Sequence, residues 1–324
     1  MALYYVAHRL FAAHDRALGA YIASRLARLA GADAVFLPFC DTDEENLVSD
    51  CKGRRLFELD CARLRRITGM IAVLHGPSLD DGVCMEMGFA AALGVPIVIV
   101  STDFQTYGPE PDRAGFAFAE PMLEQLAITV ERVHRLGPQR RPGGSDRFRL
   151  FLRQNLDPVH AAVTRAVNAL LNARPARLPW TPNYPACGRL AFIEPSPYMA
   201  DDMWAVVAST LRAKGWTVHV AKRLWPGADT ATAARADWAA ARAASLAVID
   251  ARGPETPPGA ALITGACTAT GRPVLAAHPG TWQTFADGRE PNWRNLMIQY
   301  AVSARFATTG EFTAAMDNRA CPPT

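Results

Sequence analysis

Residues 80–86 read Asp-Asp-Gly-Val-Cys-Met-Glu, and an apolar stretch opening at Met87 carries the chain on to Val100. Two adjacent acids, a turn-forming glycine and a lone Glu86 set among Cys84, Met85, Met87 and Phe89 give carboxylates of unequal solvation. Such a set can exchange protons or stabilise a developing positive charge, and its least solvated member is the candidate for a functional group. Each acid also has a structural use. A glutamate in the first turn of a helix complements the positive end of the dipole, and Asp80 or Asp81 suits an N-cap or a turn.

The neighbouring strands must position these acids. Residues 3–7 are β-rich, 15–29 repeat Leu18, Ile22, Leu26 and Leu29 at helical spacing, and 34–38 are again short and strand-like. After a loop with Asp41, Asp43, Glu44 and Glu45, the pattern predicts a helix through Leu56, Leu59, Leu64 and Ile67, a strand at 70–74, a helix at 84–93 and a strand at 96–100. This alternation predicts an α/β, doubly wound parallel sheet with helices on both faces. Ligands bind beyond the carboxyl ends of the strands in such sheets, and the strand at 70–74 runs out into His75-Gly-Pro-Ser-Leu-Asp-Asp-Gly, placing Asp80, Asp81 and then Glu86 at that rim.

With 324 residues the chain accommodates two domains, each with its own core. Breaker-rich stretches at 138–144 and 174–185 flank a helix-like segment at 158–171, so we expect a first domain over 1–136, a linker with a helix over 137–188 and a second domain over 189–324. From 190 the alternation starts again: strand 190–193, helix 203–213, strand 217–221, helix 231–244, strand 246–250, then a loop and helix over 259–271. Gly82, Gly88, Gly94 and Pro96 align on Gly259, Gly265, Gly271 and Pro273, which reads as a diverged repeat.

Composition narrows the class of function. Hydrophobic residues make up 50% of the chain, but no uninterrupted apolar run reaches the ~20 residues that span a bilayer, and no basic leader precedes the first strand, so the expectation is a soluble, cytoplasmic protein. The net charge is only +3, with one short basic cluster between Arg140 and Arg153, which reads as a solvated face and argues against a nucleic-acid partner. Seven scattered cysteines with no Cys-x-x-Cys pair support neither a disulfide framework nor a zinc site. No metal or organic cofactor is expected.

Asp-x-Gly-x-x-x-Glu-x-Gly-Phe-Ala from Asp80, followed by Leu-Gly-x-Pro-Ile after a strand, resembles the nucleoside 2-deoxyribosyltransferase family and its nucleotide N-glycosidase relatives. Tyr5 in Tyr-Val-Ala-His-Arg-Leu-Phe resembles the family's Tyr-x-Ala-Gly-x-x-Phe, and Asp60 precedes the third strand by the family's helix length. His8 and Arg9 replace small residues, and Thr68 stands where the family often has an aspartate. Breaking an N-glycosidic bond builds positive charge at C1′, which a carboxylate beneath the sugar can stabilise or capture covalently. The resemblance implies Glu86 as that nucleophile, Tyr5 as its orienting partner, and Asp60 and Asp80 as groups that hold sugar hydroxyls and assist the departing base. It extends the substrate-binding set to Gly82, Ala7 and His8. In structural terms Tyr5 is a strand aromatic and Asp60 a helix carboxylate.

The second half carries Ile263 in the place of Glu86 and Pro257-Pro258 in the place of the acid pair, which leaves it without a nucleophile. It contains Asn295-Leu296-Met297, which resembles the family's Asn-x-Met segment that crosses a dimer interface, whereas the first half has no asparagine between Asn46 and Asn155. The expectation is two flavodoxin-like domains arranged as an intrachain pseudo-dimer, with Asn295 and Met297 completing a site built on Glu86. A helix cap and a core methionine are the structural uses of the same two residues. The implied activity is 2-deoxyribose transfer between nucleobases, with a deoxynucleoside and a free base as partners and assembly of two-domain chains left open. The alternatives are a nucleoside or nucleotide N-glycosidase and a non-catalytic nucleotide-binding protein.

Overall fold

Short apolar runs separated by amphipathic segments fold here as two successive β/α windings. A computed structural model describes residues 2–42, 51–106, 118–133, 146–173, 188–197, 202–225, 227–280, 283–285 and 290–317. The first half runs β1 (Tyr4–Ala7), α1 (Ala13–Ala30), β2 (Val35–Phe36), α2 (Lys52–Leu64), β3 (Gly69–Val73), α3 (Asp81–Ala92), β4 (Ile97–Ser101), α4 (Pro121–Leu126), β5 (Thr129–Arg132) and α5 (Arg147–Asn172). Its strands are parallel in the order β2-β1-β3-β4-β5. Every residue of β3 and β4 is buried, as expected of central strands covered on both faces.

The second half runs β6 (Leu190–Glu194), α6 (Met203–Ala213), β7 (Thr217–Val220), α7 (Thr230–Ala243), β8 (Leu246–Asp250), α8 (Pro258–Ala269), β9 (Val274–Ala277), α9 (Leu296–Ala301), β10 (Ala304–Phe306) and α10 (Thr309–Asp317). Its parallel order, β10-β9-β8-β6-β7, is the first sheet's winding read from the opposite edge. Both halves are therefore doubly wound α/β sheets. Among the described residues, no helix is long and apolar enough to cross a membrane.

Three readings of the sequence need adjustment. Helix α3 begins at Asp81, three residues before the expected 84, because the Asp80 side chain accepts the Val83 N–H at 3.0 Å and caps it there. Glu86 consequently lies in the second turn, beyond the strongest dipole. The helix expected at 158–171 extends over Arg147–Asn172 with Pro158 inside it, and its Val163, Ala166, Val167 and Leu170 pack on the first sheet. Strands β5 and β10 and helices α4 and α10 are short and carried no periodic signal. The breaker-rich stretches, the acids at 43–45, Trp282, Cys187 and Cys321 lie outside the described residues.

The halves join through α3 and α8, whose sequences are apolar almost all round and which are buried along nearly their whole length. The two are twelve-residue helices at matching positions. A Cβ added at Gly88 would overlap the carbonyl oxygen of Leu262, and one added at Gly265 would overlap that of Met85. Residues 85 and 262, like 88 and 265, are equivalents, so the contact is isologous, as in a two-fold dimer. A single core runs through the seam, from Tyr5 and Phe89 to Leu262 and Trp238.

Gly88→Ala or Gly265→Ala should destabilise the chain. Alanine gains about 1 kcal/mol of helix propensity, but overpacking a backbone contact costs about 1–3 kcal/mol, and at this distance the clash wins. Chemical denaturation checks this; an unchanged or raised midpoint for both variants would show that the helices are not held at backbone contact.

Candidate active site

Strands β1 and β3 are neighbours in register, Tyr5 opposite Met70, and both point their carboxyl ends at the start of α3. Tyr5 is fully buried and donates its hydroxyl to Glu86 Oε1 at 2.6 Å, its ring stacked on Phe36. Glu86 is itself 7% exposed. Burial raises its pKa well above the ordinary carboxylate range, the charge of Asp60 adds to the rise, and the Tyr5 hydrogen bond opposes it. Burial also raises Tyr5, with Glu86 and Asp60 adding to it, so the phenol stays a donor. Asp60, half-buried on α2, is pushed up to about 7 by burial.

The turn into α3 is strained. Leu79 and Asp80 both have positive φ, 58° and 56°, a conformation aspartate tolerates better than leucine. It aims Asp80 so that one oxygen caps α3 while the other lies 3.4 Å from Arg9 Nε. Burial raises Asp80, against the Val83 N–H and Arg9, and it lifts Asp81 to about 7 with the neighbouring Asp80 charge adding to it.

The second half closes the cavity. Asn295 caps α9 by accepting the Met297 N–H on Oδ1 at 3.0 Å, which leaves its amide nitrogen directed at α3. A Cβ on Gly82 would meet that nitrogen at 2.6 Å, so Gly82 is the residue that lets Asn295 approach. Arg294 anchors the segment by donating to the carbonyls of Ala251 and Gly253. The result is a cavity of about 360 Å³ lined by Asp60, Asp80, Asp81 and Glu86 from one half and by Glu255, Asn295 and Met297 from the other.

Of the residues singled out in the sequence, Glu86, Asp60, Asp80, Gly82, His8, Asn295 and Met297 line this one cavity, and Tyr5 stands behind Glu86 as its hydrogen-bond donor. Ala7 is buried in β1 and is not among the lining residues. His8, expected in the substrate-binding set, is 4% exposed and packs over Gly19 of α1, and burial lowers its pKa. Asn295 is a cap that also faces the cavity, and Met297 is a core residue that also lines it. Sequence reading missed Glu255, although the rule that selected 75–82 applies equally to the rim loop after β8. It noted Arg9 only as a departure.

The equivalent place in the second half is filled. Arg223, 1% exposed, uses all five of its N–H groups: two on Glu120 at 2.6 and 2.7 Å, two on Glu194 at 2.5 and 2.9 Å, one on Asp237 at 3.3 Å. Glu120 caps α4 through the Met122 N–H as Asn295 caps α9, and it crosses to Gly259 as Asn295 crosses to Gly82. Ile263, fully buried, stands where α3 has Glu86. Burial and the neighbouring acids raise Glu194 against the pull of Arg223. Among the described residues no cluster of His, Cys, Asp and Glu has a metal-binding arrangement.

Residues 4–135 match the family model described as nucleoside 2-deoxyribosyltransferase, a family of nucleoside-processing enzymes. Among solved structures, a conserved protein from Enterococcus faecalis V583 is similar at 24% identity and a TM-score of 0.33, over 41% of this chain and 92% of that one. No curated protein matches the chain.

Arg223→Met should cost about 3–5 kcal/mol, because three buried carboxylates lose their shared cation. Equilibrium unfolding measures it; a loss under about 1 kcal/mol would mean that the cluster adds little to the seam.

Proposed function

From the match of residues 4–135 to the nucleoside 2-deoxyribosyltransferase family model we propose that this cavity transfers 2-deoxyribose between nucleobases through a covalent intermediate on Glu86. The observation that carries the reading is the buried Glu86, oriented by Tyr5 at 2.6 Å, in one cavity with Asn295 of the second half. The Glu86 carboxylate attacks C1′ of a bound deoxynucleoside, the C1′–N bond breaks, and the base leaves with its electron pair and a proton. An incoming base then attacks C1′, its N–H proton returns to the acid that protonated the first base, and the C1′–O bond to Glu86 breaks to release the carboxylate.

Asp60 is the group suited to deliver that proton. Its pKa of about 7 keeps a share of it protonated at neutral pH, whereas both oxygens of Asp80 are engaged by Val83 N–H and Arg9. Asp80 then orients sugar hydroxyls, and the Asn295 amide donates to another. On this reading the second half is a degenerate partner of the first, joined to it as an intrachain pseudo-dimer. It supplies a cap and a wall and carries no nucleophile of its own.

Incubation with a 2′-deoxynucleoside and a second free base tests the assignment: exchange supports it, release without exchange assigns a hydrolase, and neither outcome leaves a binding protein. Glu86→Ala should lower exchange by about three orders of magnitude or more. Asn295→Ser retains a capping oxygen while removing the amide, so it should lower kcat/KM about tenfold with an unchanged melting temperature; wild-type kinetics would remove Asn295 from the site.

The pH profile follows from the two raised carboxyls. Glu86 must be ionised, so activity rises with pH through a value well above the ordinary glutamate range; Asp60 must be protonated, so activity falls again as pH passes about 7. Tyr5→Phe removes the hydrogen bond that favours the Glu86 carboxylate and should move the acid limb to higher pH. Asp60→Asn should abolish the alkaline limb and lower the rate by about 10²–10⁴. An acid limb that stays in place in Tyr5→Phe would contradict the role of that hydrogen bond.

A further inference from the structure

The rim loop after β8 belongs to the second sheet, yet it faces the first half's site. Glu255 Oε1 accepts from Arg9 Nη2 at 2.8 Å, and Arg9 in turn lies against Asp80. The next residue, Thr256, donates its backbone N–H to Asp81 Oδ2 at 3.2 Å. Glu255, through Arg9, and Thr256, directly, thus reach the consecutive acids Asp80 and Asp81 at the start of α3. Asp60 and Asp80 both act on the charge of Glu86, while Asp80 is grouped with Arg9 and Glu255, so the nucleophile has two separate acidic neighbourhoods.

The second oxygen of Glu255 is unused. Oε2 is shielded from solvent and has no hydrogen-bond partner among the described residues, although Glu255 lines the cavity with Glu86, Asp80 and Asn295. A shielded carboxylate oxygen without a donor is uncommon and costly. Arg9 is already committed to Oε1 and to Asp80. Arg294 is committed to backbone carbonyls. Oε2 therefore stands as an acceptor at the cavity wall, where a hydroxyl of a bound molecule is a donor of the right kind.

We propose that Glu255 is a substrate-binding residue of the Glu86 site, its Oε2 accepting a hydrogen bond from a hydroxyl of the bound sugar. This rests on the reading of the cavity as a deoxyribosyl-transfer site. With the sugar over Glu86 and the base directed to its proton donor Asp60, the sugar hydroxyls are the donors left for the Asp80, Arg9 and Glu255 side. The second half would then contribute an acceptor in Glu255 and a donor in Asn295, a complementary pair for two hydroxyls.

A cycle of variant against substrate tests the contact. Dissociation constants of a 2′-deoxynucleoside, its 3′-deoxy analogue and its 5′-deoxy analogue are measured for chains with Glu86→Ala, which blocks turnover, with and without Glu255→Ala. The expected result is that removing one particular hydroxyl weakens binding about tenfold to a hundredfold when Glu255 is present, and that removing the same hydroxyl has no effect once Glu255 is alanine. Glu255→Gln, closest in shape, should give a smaller loss of the same pattern and guards against a folding defect. Equal penalties with and without Glu255 for both hydroxyls would overturn the proposal. A wild-type chain that binds deoxynucleosides with this coupling but exchanges no base would keep the contact and overturn the transferase reading instead.

Discussion

The contact between α3 and α8 sets the geometry of everything else in the molecule. Two helices meet at backbone distance because each presents a glycine, Gly88 or Gly265, to a carbonyl oxygen of the other. Both helices are buried on nearly all faces, so neither half could leave its own exposed without uncovering a large apolar surface. The seam is therefore a core rather than a loose domain boundary. Its fixed spacing carries the capped start of α9 to the first turn of α3, where Gly82 leaves room for the Asn295 amide.

One frame, used twice, gives opposite electrostatic outcomes. At the first site the crossing cap is a neutral amide, and the carboxylates of Glu86, Asp60 and Asp81 lie in low-dielectric surroundings where their pKa values rise. At the second the crossing cap is Glu120, and Arg223 fills the space and satisfies it together with Glu194 and Asp237. An open set of acids and a closed, hydrogen-bonded one differ by a few side chains around equivalent glycines. The closed site ties the halves together where the open one would otherwise leave the seam less bound.

Much of the frame was legible because it depends on local pattern. The glycine and proline spacing of 82, 88, 94 and 96 against 259, 265, 271 and 273 matches two helices of equal length at equal offset. The α3 start was misjudged because Asp80 looks equally like a turn and a cap, and only the Val83 hydrogen bond decides between them. Arg223 was invisible because its partners come from residues 120, 194 and 237, which nothing local brings together. Glu255 lay on a rim loop that the strand-edge rule could have flagged, but Ile263 in the place of Glu86 drew attention away from the loops of the second half.

The asymmetry also explains why a glutamate is not accommodated at position 263, the place equivalent to Glu86. A glutamate at position 263 would lie one helical turn from Gly259, beside a space that already holds three carboxylates and one guanidinium with no N–H group to spare. An additional buried anion there would face like charges with no compensating donor. Reopening that pocket would first require removing Arg223, and with it the cation that Glu120, Glu194 and Asp237 share. The first site escapes this conflict because its crossing residue brings an amide and no charge, so the carboxylate it helps to enclose can remain available for chemistry.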